Sequence, residues 1–107
     1  MGRWGRVAVA GTSMSPTLEP GDWLVVRWDS PVSVGDVVVA RRPDRPELLV
    51  VKRVVRAEGS GWWLRGDNPS ASDDSEVFGE VLPCDVLGRV AARCWPLPVR
   101  RCGRDHP

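Results

Sequence analysis

The chain has 107 residues, 42% of them hydrophobic and 27% charged, with a formal net charge of +1. That length and composition predict a single globular domain over residues 1–107, and the near-neutral balance gives no reason to expect nucleic acid or a membrane surface as partner. No apolar run approaches the roughly 18–20 residues of a bilayer-spanning helix, and the stretch before Gly11 is too short and polar for a signal peptide, so the expected location is the cytoplasm.

In chain order the pattern is all-β: short runs rich in Val, Leu and Trp, separated by Pro, Gly and Asp. Arg6 to Ala10 reads as a first strand, followed by a hydroxyl-rich loop from Gly11 to Leu18 and a turn at Glu19-Pro20-Gly21-Asp22. Trp23 to Trp28 and Asp36 to Arg42 are strands, and Arg41, Arg42 and Arg45 around Pro43 and Pro46 mark a solvated turn. Leu48 to Glu58 is the longest strand, and Trp62 to Arg65 continues the meander. Gly66 to Glu76 is a polar loop, Phe78 to Val81 a short strand, and Val86 to Trp95 the last one. Residues 96–107 read as a basic tail, weakly ordered at best, beyond a core of about residues 6–95. No stretch sustains helical periodicity, so the expected architecture is a small coiled sheet or partly open barrel with little helix.

Single residue types narrow the chemistry. The three cysteines, Cys84, Cys94 and Cys102, lack C-x-x-C spacing, and the one histidine is His106 in the tail. That argues against a zinc site and for free thiols, with a Cys94–Cys102 disulfide as the alternative. Of 15 basic side chains only Lys52 is a lysine, and it lies in the apolar run Leu48-Leu49-Val50-Val51-Lys52-Arg53-Val54-Val55. An arginine cannot give up its proton in a protein, whereas a desolvated lysine can. A lone strand lysine is also an ordinary snorkelling side chain. Alternation along the strand turns Arg53 to the opposite face.

Three segments gain meaning together: Gly11-Thr12-Ser13-Met14-Ser15-Pro16-Thr17-Leu18, then Val51-Lys52-Arg53, then Gly66-Asp67-Asn68-Pro69 with Ser72, Asp74 and Ser75. Taken alone, the first is a polar loop and the third a turn. In this order and local spacing they resemble the serine, lysine and G-D-N boxes of the signal peptidase I superfamily, over about Val7 to Val90. With Gly35-Asp36-Val37-Val38-Val39, Trp62-Trp63 and Val86-Leu87-Gly88-Arg89 added, the chain most resembles the branch of nickel-type superoxide dismutase maturation proteases. Only 39 positions separate Ser13 from Lys52, which leaves no room for the second β domain that ordinary signal peptidases usually insert.

The resemblance implies a serine endopeptidase with Ser13 as nucleophile and Lys52 as general base, without metal or cofactor. A lysine of pKa about 10.4 is only about 0.1% neutral at pH 7.5, so the site must lower that value at a cost of about 3–4 kcal/mol, which burial can supply. Ser72 matches the serine that orients the lysine, and Asp74 a supporting carboxylate. Val9, Met14, Leu18 and Val51 match positions lining a pocket for a small residue before the cut. The substrate is expected to lie between Arg6–Ala10 and Leu48–Val51 as an added strand. The implied partner is a protein, the nickel dismutase precursor, which loses an N-terminal propeptide.

Two departures stand out. Gly11 occupies the place of a serine that donates to the oxyanion, leaving the Ser13 N–H, with Thr12 or a backbone group as second donor or else a weaker oxyanion hole. Glu76 replaces an arginine that pairs with the family aspartate, leaving Arg53, Arg56 or Arg65 as partners for Asp74. The alternatives are a minimal signal peptidase acting on exported proteins and a non-catalytic β module that binds extended peptides.

Overall fold

A computed structural model describes residues 3–68, 70, 74–96 and 99–101. Seven strands form one antiparallel sheet: β1 (Trp4–Ala8), β2 (Trp23–Trp28), β3 (Val37–Arg42), β4 (Arg45–Glu58), β5 (Gly61–Arg65), β6 (Val86–Trp95) and β7 (Arg100–Arg101). Their order across the sheet is β1-β2-β6-β3-β4-β5, with β7 added to β6, and the sheet does not close. The all-β expectation therefore holds.

Two turns of the same design set the register. Gly21 (φ 92°) and Gly35 (φ 97°) take the left-handed conformation that glycine tolerates. The aspartate after each is buried and turns its carboxylate back on the chain. Asp22 Oδ2 accepts from the Glu19 N–H at 2.9 Å, and Asp36 Oδ2 from the Ser33 N–H at 2.8 Å. An Asx bond of this kind mimics a backbone turn, which is why the G-D pairs were legible as turns.

β3 lies between β6 and β4, and Val37, Val38, Val39 and Ala40 are all fully buried. A strand covered on both faces reads as a continuous apolar run rather than an alternating one. Odd positions feed one cluster, where Val37 and Val39 meet Val9, Met14, Leu24 and Val26. Even positions feed a second, where Val38 and Ala40 meet Val54, Leu64 and Val81. Each buried Val or Leu contributes about 1.5–3 kcal/mol, so this strand is the centre of the fold.

Four sequence expectations need correction. The first strand is Trp4–Ala8 and not Arg6–Ala10, because pairing with β2 runs from Trp4 opposite Arg27 to Ala8 opposite Trp23. Of the expected strand Phe78–Val81 only a single bridge between Val81 and Trp62 forms, and Phe78 ends a helical turn, α1 (Ser75–Phe78). Asp74 opens the turn, its carbonyl accepting from the Val77 and Phe78 N–H groups, and buried Ser75 accepts the Leu64 N–H on Oγ at 2.8 Å. Local bonding at Asp74 and Ser75 thus outcompetes the strand preference of Val77 and Phe78. The tail is not wholly loose, because Arg100 and Arg101 pair with Arg93 and Ala92 of β6. β4 starts three residues early, at Arg45, because Arg42 grips Asp44 at 2.6 and 3.0 Å and closes a tight hairpin. Cys84 and Cys94 are free thiols, whereas Cys102 and His106 lie outside the described residues.

Candidate active site

A groove of about 420 Å³ runs between the end of β1 and the first half of β4. Val7 to Gly11 line one side and Leu49 to Lys52 the other, with Ser13, Met14 and Val39 between them. Sheet topology creates this gap. β1 is an edge strand, and β4 faces β5 only from Arg53 onward, so its earlier residues have a partner on the β3 side alone.

Ladder alternation shows which backbone groups face the gap. Val54 bonds the β3 side through both its N–H and its C=O, and Val9 bonds the β2 side in the same way. Two residues on, the same orientation recurs, so the peptide groups of Leu49, Val51, Ala8 and Ala10 turn toward the groove. An extended chain laid there finds donors and acceptors on both sides.

Ser13 is half-buried at the head of the groove, on the loop between β1 and β2. Lys52 is 4% exposed and is the last β4 residue before β5 pairing begins. Its Nζ lies 3.5 Å from Asp74 Oδ1, which also accepts the Gly66 N–H at 2.9 Å. Burial penalises the Lys52 ammonium and the neighbouring carboxylate favours it, so the two act in opposite senses. Of the three arginines expected near Asp74, Arg53 pairs with Asp67, Arg56 with Glu58 and Arg65 with Glu76. Arg65 thus pairs with Glu76, and Asp74 meets the lysine itself.

Of the pocket residues, Val9, Met14 and Val51 line the groove. Leu18 is 1% exposed and packs in the same cluster behind them, without lining the groove. Gly11 is exposed at the rim, and a Cβ added there would meet nothing within 4 Å. Thr12 turns its carbonyl to the Asn68 amide at 3.1 Å. Ser72 lies outside the described residues.

The sequence expectations assigned no role to a tether that positions the Ser13 loop. Asp67 accepts Thr17 Oγ1 at 2.6 Å and Arg53 Nε and Nη2 at 3.0 and 2.9 Å, while Arg53 Nη1 donates to the Gly35 carbonyl at 2.8 Å. Beside it the Asn68 N–H donates to the Ser13 carbonyl at 2.8 Å. The Ser13 loop, the strand of Lys52 and the G-D-N segment are thus clamped together. Burial pushes the Asp67 carboxyl up, but the bonds from Arg53 and Thr17 and the Arg53 charge outweigh it and hold it below its ordinary value. The signal for this tether was present in Arg53 and Asp67, each inside a quoted motif.

The family model described as Peptidase S24-like matches residues 5–91, which take in the groove, Ser13 and Lys52. The chain belongs to the Peptidase S24-like family. Among similar proteins, mitochondrial inner membrane protease subunit 1 of Xenopus tropicalis is 32% identical over 85% of this chain and 69% of its own length. Subunit 1 of Schizosaccharomyces pombe is 33% identical over 83% and 72%, and subunit 2 of that yeast 31% identical over 92% and 68%. This S24-like chain is therefore a peptidase of the signal peptidase type. The same relatives overturn the cytoplasmic assignment, since their names place them at the mitochondrial inner membrane. Neither the lack of a long apolar run nor the polar character of the stretch before Gly11 fixes a compartment. Among the described residues no helix is long and apolar enough to cross a membrane.

Proposed function

We propose that the chain is a serine endopeptidase that cuts extended peptides after a small residue through a Ser13–Lys52 dyad. The observation that carries this reading is that Ser13 and the buried Lys52 line one groove at the open edge of the sheet. Acyl transfer needs a nucleophile, a base and an oxyanion donor. The neutral Lys52 amine takes the Ser13 proton as Oγ attacks the scissile carbonyl. The resulting ammonium protonates the leaving amine, which departs and leaves an acyl ester on Ser13. Lys52 then deprotonates the attacking water, and as the ester C–O bond breaks the lysinium returns that proton to Ser13 Oγ, which frees the acid and restores both Ser13 and the neutral amine. Asp74 steadies the lysine between these steps, and Ser72, by the resemblance, orients its amine. The Ser13 N–H serves as an oxyanion donor.

Substrate bound as an added strand would bond Ala8, Ala10, Leu49 and Val51, with Val9, Met14 and Val51 around the residue before the cut. That pocket suits alanine or a residue of similar size.

The nickel superoxide dismutase precursor is the proposed substrate, on the strength of the motif resemblance. A second reading, cleavage of signal-peptide-like segments from exported or membrane-targeted precursors, is favoured by the inner membrane proteases among the relatives. Incubating the purified chain separately with each precursor and reading the new N-termini by mass spectrometry decides between them. The first reading predicts one cut that releases the dismutase propeptide. Cleavage of secretory precursors with the dismutase precursor left intact would replace it by the second. A Ser13→Ala control must be inactive on either.

A further inference from the structure

The net charge of +1 conceals an uneven distribution. The face of β1, β2 and β6 that carries Trp4 also carries Arg6, Arg27 and Arg89 and, among its strand residues, no aspartate or glutamate. Residues directly opposite in an antiparallel sheet share a face, and the register runs Trp4–Arg27–Arg89–Val38–Lys52 across five strands. At the β3 end of this row the face is sealed: Val38 is fully buried in the cluster that also takes in Phe78 of α1. At the β1-β2-β6 end it is bare. Trp4 is 57%, Trp23 42% and Trp95 56% exposed.

This bare half has a distinct chemistry. Trp23 stands opposite Trp95, and with Arg6 and Cys94 they line a shallow recess of about 500 Å³. Arg27 stacks on Trp4 at 5.0 Å and stands directly opposite Arg89. Like charges directly opposite on a sheet repel, and among the described residues neither arginine forms an ion pair. A strand face of tryptophans and arginines that carries no aspartate or glutamate of its own complements a surface that presents anionic phosphates over an apolar bed. Tryptophan favours the level where one end of the ring is apolar and the other wet, and clustered arginines favour acidic headgroups.

We infer that the outer face of β1, β2 and β6 docks the protein on a bilayer containing acidic phospholipid. The inference goes beyond the peptidase reading and does not depend on the dyad. It also revises the expectation from net charge, because the sheet segregates charges that the composition averages.

The test is vesicle flotation with the Ser13→Ala chain, comparing phosphatidylcholine alone with phosphatidylcholine plus phosphatidylglycerol. Binding is expected only with the acidic lipid and should weaken as salt rises. Arg27→Gln and Arg89→Gln should each weaken it about fivefold. Trp23→Ala with Trp95→Ala should weaken it further at high salt, where the apolar contribution remains. Circular dichroism confirms the fold of each variant, and restoring Ser13 in them should leave cleavage of a short soluble peptide unchanged. Equal binding to neutral vesicles, or acidic-vesicle binding unaffected by all four changes, overturns the proposal. So does tighter binding to single-stranded oligothymidylate than to acidic vesicles, which would make the face a base-stacking platform instead.

Discussion

The two halves of β4 are built from similar residues and do different things. From Arg53 to Glu58 the strand pairs with β5, and Val54 is sealed in the second cluster. From Arg45 to Lys52 it has partners on the β3 side alone, and Leu49 to Lys52 leave their other edge to the groove. Lys52 and Arg53 sit at the handover, one turned to Asp74 and the other to Asp67. What separates a structural strand from a candidate catalytic one here is the neighbour missing over eight residues. An unpaired edge costs little stability if the Ser13 loop is held by other means, and the Asp67 clamp supplies them. In the proposed binding mode, substrate completes the ladder that the chain leaves open.

This comparison breaks first at the dyad. Ser13→Ala and Lys52→Arg should each reduce turnover of a peptide substrate by at least about a thousandfold, because a guanidinium cannot act as the base. Ser15→Ala should keep substantial activity. Lys52→Arg within tenfold of the parent would mean that the open half of β4 has no basic role. The next largest effect tests the groove: an aromatic residue placed before the cut should lower kcat/KM by at least about tenfold, as pocket fit discriminates by roughly 1–3 kcal/mol.

The clamp gives a stability prediction with a pH signature. Asp67→Asn should cost about 1–3 kcal/mol in urea unfolding at neutral pH, since it removes charge-assisted bonds to Arg53 and Thr17. The folded-state value of Asp67 lies below the unfolded one, so its contribution is present above about pH 4 and is lost as pH falls through the depressed value. The cost of Asp67→Asn should accordingly shrink in acid, and a cost that stayed constant down to the unfolding midpoint would show that the carboxylate charge is irrelevant. The smallest effect is a gain. Gly11→Ser fits without a clash and offers a second oxyanion donor, so kcat should rise a few-fold with KM little changed.

Much of the fold was legible because β patterning is local. The apolar run of β3, the two Gly-Asp turns and the strand limits at Trp23–Trp28 and Val86–Trp95 follow from residues close in sequence. What escaped depends on distant partners. Thr17 and Asp67 are 50 residues apart, and no local pattern announces their bond. The open edge of β4 is a property of strand order, and the turn at Ser75–Phe78 is won by bonds to Leu64 and Asp74 against residues of strand type. Charge segregation on the outer face likewise appears only once the register is known. Motif and chemistry make Ser13 and Lys52 candidates, and the fold brings both to one groove, whereas the Asp74–Lys52 contact required the fold, because the sequence pointed Asp74 toward an arginine.

The most direct test of the dyad is the site of covalent capture. Treatment with a fluorophosphonate followed by proteolysis and mass spectrometry should find one adduct, on Ser13, absent from Lys52→Arg and slower to form as pH falls and the Lys52 amine is protonated. An adduct on Ser15, or full labelling of Ser13 in Lys52→Arg, would contradict the dyad.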